Sequence, residues 1–127
     1  MDLLSRVLIK IGLKKRVNYN SVEYQRERGA KIGEDVYLYD CNIDDQFQYL
    51  LTVGDHVTIT GATILCHDAT TKRALGYTKA GRVTIGNNVF IGKGAIILPN
   101  TKIGNNVIIG AGGGYSKRCT EQFGCCG

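Results

Sequence analysis

The chain has 127 residues, 43% of them hydrophobic and 21% charged, which fits one globular domain and excludes wholesale disorder. Its formal charge is +5, but no basic cluster is interleaved with aromatics, which speaks against nucleic-acid binding. Seventeen glycines with one proline and no tryptophan exclude collagen and point to many tight turns, while five cysteines without a C-x-x-C pair suit a reducing cytoplasm rather than a disulfide framework or zinc ribbon.

The first segment reads as a helix. Leu3, Leu4, Val7, Leu8 and Ile11 recur at helical spacing on one face. Lys10, Lys14, Lys15 and Arg16 crowd its C-terminal side, where the helix dipole favours cations. Arg6 and Lys10 interrupt the apolar run, so it is neither a bilayer span nor a good signal peptide. Two readings stay open: a cap on the end of the domain, or an interfacial helix placing residues 1–16 against a membrane. A second short helix is expected over 21–28, ended by Gly29. Residues 1–30 thus form a helical lead-in.

A period of six begins weakly at Ile32, with Gly33 and Val36. It continues through Val53, Ile59 and Leu65, with Val57, Thr63 and Ala69 as their small partners. From Ile85 it runs unbroken through Ile91, Ile97, Ile103 and Ile109. Gly86, Gly92, Gly104 and Gly110 follow four of these five isoleucines. Six is neither the period of a helix nor that of a strand. It suits a short strand, a sharp turn and another short strand, with one aliphatic residue turned into a narrow core. Gly86-Asn87-Asn88 and Gly104-Asn105-Asn106 supply the positive-φ turns. Such units bury their core only when stacked, as in an all-β solenoid.

These residues resemble the hexapeptide-repeat acyltransferases. The resemblance covers residues 31–112. It implies a left-handed parallel β-helix with three hexapeptides per coil, and a homotrimer. The stretch from Ile64 to Gly112 looks like the sugar O-acetyltransferases of surface-polysaccharide synthesis, which implies a bacterial cytoplasmic enzyme using acetyl-coenzyme A.

The repeat is interrupted once. Twenty residues separate Leu65 from Ile85, where regular hexads would use eighteen. The resemblance reads 67–83 as an external loop, and His67 stands at its start in the place of the family's catalytic histidine. An imidazole is suited to take a proton from a sugar hydroxyl and return it to a leaving thiolate. Asp68 either orients that ring, contacts the sugar, or is a solvated turn carboxylate. Asn42 and Asp44, in the preceding coil, either face the same cleft or serve turn chemistry. Tyr77 and Lys79 are loop residues able to meet a sugar. Cys66 is expected in the core, since neighbours on a strand point to opposite faces. His56 takes a turn position. Two histidines are too few for the family's three-histidine metal centres, so no metal is expected. By motif position the coenzyme A groove falls at Gly92, Lys93, Gly110 and Ala111.

After Gly112 the pattern stops, and residues 113–127 depart from the family's ending. One base gained near Gly112–Gly114 accounts for this, because codons for the tail read one base later can encode that ending. Ser116 and Lys117 mimic by position a hydroxyl residue and a lysine of the coenzyme A site. A chain so altered is expected to be weak or inactive. The competing readings are a catalytically inactive solenoid remnant or scaffold, and an ice-binding solenoid, for which outward threonines are not ranked.

Overall fold

The computed structural model describes residues 3–10, 12, 18–112 and 114–115. Two helices lead in, α1 (Leu3–Lys10) and α2 (Val22–Glu27). Ser21 caps α2 by accepting the Tyr24 N–H, and Gly29 leaves it at φ 108°. A solenoid of triangular coils follows. The first coil holds β1 (Lys31–Ile32), β2 (Tyr37–Tyr39) and β3 (Asn42–Ile43). A 3-10 turn, Gln48–Leu50, leads to the second: β4 (Leu51–Val53), β5 (Thr58–Thr60) and β6 (Thr63–Ile64). An excursion then carries β7 (His67–Asp68), α3 (Lys72–Leu75) and β8 (Lys79–Ala80). The third coil is β9 (Val83–Ile85), β10 (Phe90–Ile91) and β11 (Ile96–Ile97). The fourth is β12 (Lys102–Ile103), β13 (Ile108–Ile109) and β14 (Gly114–Tyr115).

Strands stack in parallel into three four-stranded sheets, ordered β1-β4-β9-β12, β2-β5-β10-β13 and β3-β6-β11-β14. The architecture is a left-handed parallel β-helix. Parallel pairing reaches Gly114–Tyr115, inside the 113–127 segment expected to depart from the pattern, and 116–127 lie outside the described residues.

Each sheet turns one aliphatic rank inward. Ile32, Val53, Ile85 and Ile103 form the first rank, and Leu38, Ile59, Ile91 and Ile109 the second. Ile43, Ile64 and Ile97 form the third. Val57, Val89, Val107, Ala62, Ala95 and Thr101 fill the corners and are buried.

The third rank departs from the strict period of six. Ile64 is fully buried and pairs with Ile97, whereas Leu65 is half-buried and Thr63 and Ala69 stay off the core. The corner after Ile59 is one residue shorter than that after Ile91. Gly61, at φ 53°, makes the tighter turn. The shift matters for function, because it turns Cys66 inward and leaves His67 off the core.

The first corner is a ladder. Asp35, His56, Asn88 and Asn106 stand in the left-handed region at φ 57°, 56°, 55° and 56°. The residue before each sits over the preceding coil. Asp55 Oδ1 accepts the Glu34 N–H at 2.8 Å, Asn87 Oδ1 the Asp55 N–H at 2.7 Å, and Asn105 Oδ1 the Asn87 N–H at 2.7 Å. His56 is the outward turn residue that its position in the repeat implied, paired with Asp35 at 2.8 Å. That hydrogen bond holds the Asp35 carboxyl below its ordinary range.

Candidate active site

The excursion leaves the solenoid directly after Cys66. Its first strand, β7, pairs antiparallel with β8, His67 against Ala80 and Asp68 against Lys79. The Gly81 N–H donates to the Cys66 carbonyl at 2.9 Å and closes the base of the loop. His67 is therefore held by a sheet at the point where the loop meets the body.

Asp44, one coil below, is the group that organises it. Its carboxylate is buried, with a side-chain exposure of 7%. Asp44 Oδ2 accepts the Cys66 N–H at 2.9 Å, the His67 N–H at 3.0 Å, and the imidazole Nδ1. A carboxylate only accepts, so Nδ1 carries a proton, and in the neutral imidazole Nε2 is the nitrogen with the free lone pair. The His67 side chain is 32% exposed, open enough to meet a substrate.

Phe47 fixes the plane of the ring. Its centroid lies 4.4 Å from that of His67 with 16° between planes, and Tyr49 continues the file 6.3 Å beyond Phe47. The strained turn before it, with Gln46 at φ 71°, brings Phe47 into place. No period marks Phe47 in the sequence. It stands twenty residues from His67 in a stretch between strands, so nothing local in the sequence signals the contact.

The other candidates divide. Asp68 serves the loop: its Oδ1 accepts the Thr70 N–H at 2.9 Å, and this bond holds its carboxyl below the ordinary range. Asn42 does not join His67 but lines a pocket of about 230 Å³ with Tyr19, Tyr24, Gln25, Cys41 and Gln48. Tyr77 is exposed on the loop, its carbonyl accepting from Thr71 Oγ1 at 3.0 Å. Cys66 is fully buried, and burial pushes its thiol up to about 12, with the Asp44 charge adding to the effect. It stays protonated at neutral pH and is no nucleophile.

Gly92, Lys93, Gly110 and Ala111 do meet, on the corner between the second and third sheets. The Gly92 N–H donates to Ile109 O at 2.8 Å, and the Gly112 N–H to Lys93 O at 3.0 Å. A Cβ on Gly92 would stand 2.8 Å from the Ala111 nitrogen, so only glycine fits there. Among the described residues a Cβ on Gly110 would meet nothing within 4 Å. Lys117 lies outside the described residues. Among the described residues, no group of three His, Cys, Asp or Glu could hold a metal ion.

Residues 82–113 match the model of the bacterial transferase hexapeptide (six repeats). That segment is built of hexapeptide repeats. The chain is 37% identical to Protein CapG of Staphylococcus aureus over 81 residues, which cover 58% of this chain and 47% of CapG. It thus spans about half the length of that curated relative. Its fold matches a maltose O-acetyltransferase from Clostridium difficile with a TM-score of 0.55, at 24% identity over 91% of this chain and 75% of that one. It also matches a galactoside acetyltransferase solved with coenzyme A, with a TM-score of 0.52, at 22% identity over 87% and 68% of the two chains. At such identities the two structures share the fold.

Proposed function

We propose that this chain is an acetyl-coenzyme A-dependent O-acetyltransferase acting on a sugar hydroxyl of a lipopolysaccharide or capsule precursor, with His67 as general base. The His67–Asp44 pair at the root of the loop carries this reading. The likeness to CapG and to two sugar acetyltransferase structures supports it.

The chemistry follows from the geometry. A sugar hydroxyl is a poor nucleophile until a base takes its proton. Nε2 of His67 takes that proton as the oxygen attacks the thioester carbonyl, and gives it to the departing thiolate. Asp44 stabilises the imidazolium in between and Phe47 holds its orientation. The backbone at Gly110 and Ala111, beside Gly92 and Lys93, suits the pantetheine arm, and Lys117 belongs to the same site by motif position. The same reading gives Asp68, Asn42 and Tyr77 to the saccharide, which must then span the loop and the Tyr19 pocket.

The test is transfer of labelled acetyl from acetyl-coenzyme A to a panel of mono- and disaccharides, followed by mass spectrometry. An acetyl ester on a sugar hydroxyl is the expected product. An amide product moves the reading to N-acetylation. No product from the chain as given, nor from one with a hexapeptide ending restored beyond Gly112, leaves the alternative, an inactive solenoid remnant or scaffold.

The proposed assembly is a homotrimer. Phe90 and Ile108 stand outward on the second sheet, 43% and 47% exposed, in register with Tyr37 and Thr58 of the earlier coils. An exposed apolar rank of this kind on a sheet face supports an interface there. Phe90→Lys is expected to shift the mass seen by light scattering from trimer to monomer and to leave the circular dichroism unchanged.

A further inference from the structure

We infer that helix α1 docks this protein on an anionic lipid surface. Leu3 and Leu4 are 77% and 67% exposed, and Val7 is exposed beside them. At 3.6 residues per turn these three fall within one arc of about 100°. Arg6 and Lys10 border that arc on one side. The sequence continues with Lys14, Lys15 and Arg16, and over residues 1–17 Asp2 is the only acid.

An apolar arc edged by cations matches the acyl boundary of a bilayer with anionic headgroups above it. A second copy would bring only further cations to the contact, where a membrane of this kind supplies anions. No helix among the described residues is long and apolar enough to cross a membrane, so α1 lies in the interface plane. Each basic residue near such a surface adds about fivefold in affinity, an effect that salt screens. Placed there, the solenoid would work beside lipid-linked acceptors, but docking rests only on α1 and stands apart from the acetyl-transfer reading.

The chain has no tryptophan, so Leu4→Trp gives a unique reporter. The probe is vesicles of phosphatidylcholine with or without phosphatidylglycerol. Leu4→Trp fluorescence is expected to shift to the blue with the mixed vesicles only, and the shift to vanish at high salt. In co-sedimentation, Arg6→Gln/Lys10→Gln is expected to weaken binding by about twentyfold. Leu4→Glu is expected to abolish binding with the thermal midpoint unchanged. Absence of binding by the parent chain overturns the proposal. So does equal binding by Leu4→Glu, equal binding to vesicles without phosphatidylglycerol, or a loss of oligomer in Leu4→Glu, which would show that another copy covers the helix.

Discussion

His67→Ala is expected to lower acetyl transfer by about two to four orders of magnitude, the usual contribution of a positioned general base. The solenoid should survive, because His67 is one-third exposed and its backbone bonds to Asp44 do not need the ring. Initial rates at saturating acetyl-coenzyme A, beside a thermal melt, check both halves. Asp44→Asn sharpens the test. An amide oxygen still accepts the Cys66 and His67 N–H groups, so the corner keeps its bonds. What it loses is the charge facing the imidazolium, and transfer should fall by at least tenfold on the pattern of acid–base dyads. Asp44→Ala removes the acceptor from two backbone donors as well and should destabilise the fold by about 1–3 kcal/mol per stranded group. A chain that keeps its rate without His67 has another base, and the dyad is then only a structural tie.

The second large effect is on stability. Gly86→Ala places a Cβ 2.5 Å from Asn105 Oδ1, 2.6 Å from the Gly104 carbonyl oxygen and 2.7 Å from its carbon. Two of these atoms are backbone and cannot swing aside. The clash must be relieved by parting the third and fourth coils at the ladder. A loss of about 3 kcal/mol is expected, as for overpacked interiors. For a chain of this size that is a fall of roughly 10 °C in the thermal midpoint. Gly110→Ala is the control, since its Cβ meets nothing within 4 Å among the described residues. Its midpoint should stay close to that of the parent chain. Equal midpoints for the two variants would mean that the coils are looser at the ladder than these distances allow.

The sequence carried the first two core ranks openly. Their aliphatic residues recur every six places within a coil, and nothing but a solenoid spaces them so. In the third rank it carried Ile97 but set Leu65 where Ile64 belongs. Leu65 and Ile64 are equally apolar, and a tight corner at Gly61 looks no different in sequence from the looser one at Gly92. Only the pairing of Ile64 with Ile97 decides between them. His67 was visible because it interrupts a pattern. Asp44 was visible only as a candidate, and Phe47 not at all, because each reaches His67 across a full coil, and contacts of that length leave no local mark. The backbone at Gly110 was reached through family likeness.

Each coil bonds only to its neighbours, so the protein need not open as one piece. His67 and Asp44 tie the first two coils together, whereas Gly110 and Ala111 belong to the fourth, so the fourth coil can open while the dyad stays joined. A donor seated at Gly110 and Ala111 would slow the opening, because a molecule bound only to the closed form shifts the balance by mass action. Donor affinity and the firmness of that end of the solenoid would then be one quantity, read once in a titration and again in the exchange of amide protons with solvent.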